Sequence, residues 1–164
     1  MSQASSIRDQ LRKVLPNLLL DIYRLIRSRK YVGDASCCTF CKECFTELLV
    51  SGSNSKVERE HNIIGVGKRV HRCPRCLSSD KERLHHLFLD NEYSFDKRSE
   101  IDLLHIAPEI NLSKFLRSKS NVNYLSGDLN PTYYSNRHGR PRSFRGMVKL
   151  DLTKLDFVDS NFDL

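Results

Sequence analysis

Apolar positions recur at helical spacing near the amino terminus. Leu15, Leu18, Leu19, Ile22 and Ile26 share one side of a helix predicted over residues 5 to 29. Pro16 suits a first helical turn better than a helix interior, so a break is expected near residue 15. "SGSNSK" at 51 to 56 reads as a loop, and "NIIGVGKRV" at 62 to 70 as a strand with a glycine bend. "SSDKERLHHLFLD" then opens a helix, with Ser79 and Glu82 spaced as a capping box. Its inward face is expected to be Leu84, Leu87 and Phe88, and the pair His85 and His86 is read as packing or surface. From residue 101 the period changes. "IDLLHI" is a strand, "INLSKFLRS" a helix, "VNYLSGD" a strand, and "MVKLDL" a third strand beyond a basic loop. Strand, helix, strand predicts an α/β fold with a parallel sheet.

These changes of pattern divide the chain. Residues 1 to 30 form N-terminal amphipathic helices. Residues 31 to 90 hold a cysteine module and its following helix, and residues 98 to 164 the α/β portion, joined by a linker around "NEYSFDKRSE". No internal repeat is present. The chain has 164 residues, 39% of them hydrophobic and 29% charged, a balance that favours folding over disorder. No transmembrane span is expected. The N-terminus lacks a long apolar core and a small-residue cleavage site, so the expected location is cytoplasmic.

The net charge of +7 suits nucleic acid, anionic lipid or an acidic small molecule as partner. One basic group is Arg8, Arg12, Lys13, Arg24, Arg27, Arg29 and Lys30; another is Arg137, Arg140, Arg142, Arg145 and Lys149. The simplest reading makes them solvated faces and a loop. With basic neighbours, the N-terminal apolar stripe is also suited to peripheral contact with a membrane. The preferred expectation is that it packs on its own domain.

All six cysteines lie between residues 37 and 76, as C-C-x2-C-x2-C from Cys37 to Cys44 and as "CPRC" at Cys73 and Cys76. Two C-x2-C knuckles a few tens of residues apart predict a zinc site, because a two-residue gap turns both thiolates onto one ion. Disulfides are the rival reading, disfavoured by the lack of an export signal. The first knuckle is either Cys38 with Cys41 or Cys41 with Cys44. Four cysteine ligands leave no open position, so the zinc is expected to be structural.

Ligands of open parallel sheets bind outside the carboxyl ends of the strands. Three consecutive strand ends here carry polar groups: His105 to Glu109, Asp128, and Asp151. Asp128 lies about where a ribose-binding carboxylate follows a first strand, and Gly127 before it allows close backbone approach. Glu109 stands at a helix start, which favours its carboxylate.

The stretches "CPRCLSSDKERLHHLFL", "LLHIAPEINLSKFL", "NYLSGDLNP" and "DLTKLDFVDSNFDL" resemble class I S-adenosylmethionine-dependent methyltransferases. In particular they resemble a bacterial subgroup with an N-terminal zinc ribbon and an L-H-I-A-P-E first motif. The resemblance covers roughly residues 38 to 164. It implies an incomplete Rossmann-like fold, the first three strands only, preceded by N-terminal helices and a small zinc ribbon. It aligns Phe45 with the aromatic that follows the first ribbon pair, which selects Cys38 and Cys41 to join Cys73 and Cys76 on zinc and leaves Cys37 and Cys44 as spare thiols. It implies S-adenosyl-L-methionine as cofactor. The loop of His105, Ala107, Pro108 and Glu109 would lie under its methionine end, Asp128 would hold the ribose, and Leu129, Asp151 and Leu152 would meet the adenine. The usual glycine-rich turn after the first strand is absent; Ala107 is the smallest residue there.

"NFDL" resembles the start of the fourth strand, so the chain reads as the front half of an enzyme, with its first strand expected as a bare apolar edge. The acceptor of the methyl group and the catalytic base are not legible, and this chain alone is expected to be inactive. Two alternatives stand beside the methyltransferase: a nucleic-acid-binding zinc module, less favoured because Tyr31, Phe40 and Phe45 are its main stacking candidates, and a non-catalytic remnant.

Overall fold

A computed structural model describes residues 17–53, 55–61, 67–132, 134 and 146–164. The first half of the predicted N-terminal helix, most of the glycine-bend strand and the arginines at 137, 140, 142 and 145 lie outside the described residues. The elements are α1 (Asn17–Ser28), β1 (Val32–Cys37), β2 (Cys44–Phe45), β3 (Leu49–Ser51), α2 (Lys56–Glu60), β4 (Arg69–Arg72), α3 (Asp80–Leu87), β5 (Ile101–Ile106), α4 (Ile110–Arg117), β6 (Val122–Asp128) and β7 (Val148–Lys149). They fall into two compact units, one within Leu15–Arg83 and one within Leu84–Leu164. No helix among the described residues is long and apolar enough to cross a membrane.

The first unit is built from two short antiparallel pairs, β1 with β2 and β3 with β4. Its core is small: Phe45, Cys38 and Cys73 are buried, with Tyr31, Phe40, Cys41 and Cys76 packed against them. Helix α1 turns its polar side to this unit. Arg27 donates to the Pro74 carbonyl at 3.5 Å, Arg75 donates to the Asp21 carbonyl at 3.4 Å, and Ser28 is buried. Over its described part the apolar stripe therefore does not pack on its own unit as expected: Leu19, Ile22 and Ile26 are exposed, as are Tyr23 and Leu25 beside them, while the side chains of Leu15 and Leu18 lie outside what is described. The backbone contacts at Asp21 and Pro74 fix the helix by its other side.

Helix α3 starts as the capping box predicts. The Ser79 amide donates to Glu82 Oε2 at 2.8 Å, and the Glu82 amide donates to Ser79 Oγ at 3.2 Å. Its inward face is not the expected one. Leu84, Leu87 and Phe88 are exposed, while Glu82, His86 and Leu89 are buried. The buried residues sit at i, i+4 and i+7, one helical face, with the capping Glu82 at its start. His86 packs edge-on against Phe115 at 4.2 Å and His85 is exposed, both as expected.

The second unit holds the parallel sheet, ordered β5, β6, β7. Strands β5 and β6 match their predicted spans, whereas β7 is only Val148–Lys149. Among its described residues, Ile101, Leu103, Leu112, Leu116, Leu150, Phe95 and Leu89 are buried apolar side chains. Each large apolar side chain so buried contributes about 1.5–3 kcal/mol. The outer edge of β5 is not bare over its middle. Asp163 donates its amide to the Asp102 carbonyl at 2.8 Å, and Leu104 donates to the Leu164 carbonyl at 2.9 Å. Asp163 Oδ2 also accepts the Asp102 amide at 2.9 Å. The final residues thus run along β5 on the side away from β6, in the same direction as β5.

Candidate functional site

The two C-x2-C turns are built alike. In the first, Lys42 donates its amide to the Cys38 carbonyl at 2.9 Å, and Cys38 donates to the Glu43 carbonyl at 2.9 Å. In the second, Leu77 donates to Cys73 at 3.1 Å, and Cys73 donates to Ser78 at 2.9 Å. The residue after each second cysteine, Lys42 and Leu77, takes a left-handed conformation with φ of 60° and 63°. Glycine usually fills that position, and a larger residue there costs about 1–2 kcal/mol. The matching turns identify Cys38 and Cys41 as the first knuckle.

The four sulfurs of Cys38, Cys41, Cys73 and Cys76 lie within 4.8 Å of one another. Two of the separations are 3.5 Å (Cys38 to Cys76) and 3.7 Å (Cys41 to Cys73). A tetrahedral zinc with bonds of about 2.3 Å places its sulfurs about 3.8 Å apart, so the cage fits. The electrostatics agree. Hydrogen bonds from Cys41, then Cys73 and Cys76, hold the Cys38 thiol far below its ordinary value. Cys38 in turn pushes the thiols of Cys41 and Cys73 up. Four thiolates within 4.8 Å of one another repel, so holding all of them ionised together needs a cation at their centre.

Behind the cage, Ser78 is fully buried, with Oγ 3.3 Å from Cys38 Sγ and 3.2 Å from Cys76 Sγ. Arg83 donates to the Ser78 carbonyl at 2.8 Å and to the His71 carbonyl at 2.9 Å. One guanidinium thus ties the second knuckle to β4 and places positive charge near the thiolates. Cys37 and Cys44, expected as spare thiols, are instead joined as a disulfide between β1 and β2. They face each other in register across the hairpin, which brings their sulfurs together outside the cage.

The other expected site lies at the carboxyl ends of β5 and β6. Ala107 turns the chain out of β5 in a left-handed conformation, φ 49°, and donates its amide to the Gly127 carbonyl at 3.0 Å. This alanine takes the backbone conformation a glycine would ordinarily supply. Pro108 is buried, and Glu109 precedes α4. His105 Nε2 lies 3.1 Å from Glu109 Oε2, and Nδ1 lies 2.9 Å from the Tyr124 hydroxyl, which in turn donates to Ser113 Oγ at 3.1 Å. The imidazole thus bridges Glu109 and the Tyr124 hydroxyl and holds the carboxylate in place. The Arg117 guanidinium stacks 4.3 Å over the Tyr124 ring, and burial raises the Tyr124 phenol.

Asp128 ends β6 with both oxygens engaged. Oδ1 accepts the Asn130 amide at 2.7 Å, and Oδ2 accepts the Tyr134 hydroxyl at 3.0 Å. Burial, and then this bond to a carboxylate, push the Tyr134 phenol up. Leu129 is exposed. Asp151 and Leu152 lie beyond β7, also exposed, with Asp151 Oδ1 accepting the Thr153 amide at 2.9 Å and hydroxyl at 2.7 Å. Thr153's hydroxyl, then its amide, hold the Asp151 carboxyl below its usual range. Gly127 serves packing: a Cβ there would meet Leu150 Cβ at 2.8 Å. Sequence reasoning missed Tyr124, Tyr134, Ser113 and Arg117, whose roles depend on strand register and helix placement.

No protein-family model, curated protein or solved structure matches the chain.

Proposed function

We propose that the chain is a zinc-ribbon protein of the class I methyltransferase type, with a Rossmann-like sheet that binds S-adenosyl-L-methionine at its strand ends. The observation that carries this reading is the arrangement around β5. β6 and β7 lie on one side of it, and Asp163 and Leu164 pair on the other. Strand order reversing about a first strand creates a switch point at its carboxyl end, the place where open α/β sheets bind ligands. The turn of Ala107, Pro108 and Glu109 stands at that point.

In this reading Glu109 takes the cofactor's ammonium group and His105 holds the carboxylate in position. Asp128 accepts from the ribose hydroxyls after exchanging Tyr134 for them. Leu129, Asp151 and Leu152, exposed in this structure, line the adenine edge. When bound, the cofactor supplies an electrophilic methyl group. The residues named here bind and orient it, and the acceptor is left open. The cysteine cage supports zinc in a purely structural role, since all four positions of a tetrahedron are filled by protein.

Calorimetry with S-adenosyl-L-methionine and the full chain tests the reading. Binding is expected, and Asp128→Ala should weaken it by about 1.5–3 kcal/mol, the loss usual for a hydrogen bond to a charged group. Absence of heat with the folded, zinc-loaded chain would leave a non-catalytic remnant or a different ligand.

A further inference from the structure

Helix α1 is mounted the opposite way from an ordinary amphipathic surface helix. Arg27 and the Asp21 carbonyl bind the cysteine unit, and Ser28 is 2% exposed. Away from these contacts Ile26 is 60% exposed, beside Leu19 and Ile22 at 45% and 43%, and Tyr23, 56% exposed, borders them with the Arg27 guanidinium 5.9 Å over its ring. These four positions, at 19, 22, 23 and 26, follow helical spacing and form one continuous apolar strip. Water-facing surfaces rarely keep such a strip unless something apolar covers it.

The charge around the strip says what covers it. Residues 1 to 31 contain seven cations and two acids, so they hold +5 of the chain's +7. Asp21, the one acid within α1, is paired with Arg24 at 3.0 Å. Arg29 and Lys30 follow the helix directly and are exposed. Tyr23 combines an apolar ring with a polar tip, a side chain suited to the headgroup level of a bilayer. An apolar strip with exposed Arg29 and Lys30 at its carboxyl end, in a segment of net positive charge, matches an anionic lipid surface, which offers apolar depth and negative headgroups together.

We propose that α1 docks this protein peripherally on anionic membranes, with Leu19, Ile22, Tyr23 and Ile26 entering the headgroup boundary. The helix lies in the membrane plane, and its polar side holds the cysteine unit above the surface. Nothing in this depends on the cofactor reading, because the residues involved belong to the other unit.

The test is co-sedimentation of the full, zinc-loaded chain with vesicles. Strong binding is expected to equimolar phosphatidylcholine and phosphatidylglycerol, and binding at least about tenfold weaker to phosphatidylcholine alone. High salt should weaken the first. The double variant Ile22→Glu, Ile26→Glu should lose at least about tenfold in binding while keeping zinc content and thermal transition. Arg29→Ala with Lys30→Ala, which leaves the apolar strip intact, should give an intermediate loss. No binding to anionic vesicles overturns the proposal. So does unchanged binding by the glutamate variant. If that variant instead converts a dimer into a monomer in light scattering without altering vesicle binding, the strip is a contact between copies and the proposal fails.

Discussion

Gly127 shows how a single residue can be read for the wrong reason. The residue before a presumed ribose-binding aspartate invites the idea that a ligand approaches the backbone. A Cβ at this position would instead stand 2.8 Å and 2.9 Å from Leu150 Cβ and Cδ2. Both strands hold their partners here, since Gly127 and Asp128 pair with Val148 and Lys149. Gly127→Ala should therefore destabilise the second unit by about 1–3 kcal/mol through overpacking. Urea unfolding of the variant measures this, and a loss below about 0.5 kcal/mol would mean that Leu150 moves aside freely. Other residues were legible for sound local reasons. Ser79 and Glu82 cap α3 because both partners lie within one turn. Tyr134 was not legible, because nothing local says that a residue six positions on will donate to Asp128. Lys42 and Leu77 were equally silent, since neither residue type advertises a left-handed turn.

Among the elements, the ones set by short-range periodicity were readable, and the ones set by contacts were not. β5 and β6 alternate or run apolar over six or seven residues and match their expected spans. The stripe on α1 was seen, but its direction was not, because the direction depends on Arg27 and Arg75 reaching backbone carbonyls of a distant segment. For the cysteines, spacing alone admitted two first knuckles, and the paired turns select one. Cys44 is bonded to Cys37, outside the cage. Cys38→Ser and Cys73→Ser should each lose bound zinc, whereas Cys44→Ser should keep close to one zinc per chain. Metal analysis of the purified variants decides this. Loss of zinc from Cys44→Ser with retention in Cys38→Ser would reverse the assignment. Arg83 belongs to the same element-level logic, since it links the second knuckle to β4 through the Ser78 and His71 carbonyls.

The two units of the whole molecule differ in what holds them. The second has a run of buried aliphatic and aromatic residues, from Leu89 and Phe95 to Leu116 and Leu150. The first buries Phe45 with two cysteines, and those cysteines belong to the cluster of four that could hold a metal ion. Units of roughly 70 residues or fewer seldom gain more than about 3–5 kcal/mol from their core and usually need a staple. A structural zinc contributes on the order of 10 kcal/mol or more of binding free energy to folding, enough to decide whether such a unit forms. A chelator should therefore unfold the Leu15–Arg83 unit while the parallel sheet of the other persists. Acid should do the same by another route. Bound zinc would keep the thiolates ionised below their ordinary range, so its contribution would be present at neutral pH. It is lost as pH falls and protons displace the metal. Amide exchange with and without chelator resolves the two units. Protection should vanish from β1 to β4 and remain in β5 and β6. Uniform loss across both would mean that the units fold as one, and unchanged protection in β1 to β4 would mean that Phe45 and the Cys37–Cys44 disulfide hold the first unit without metal.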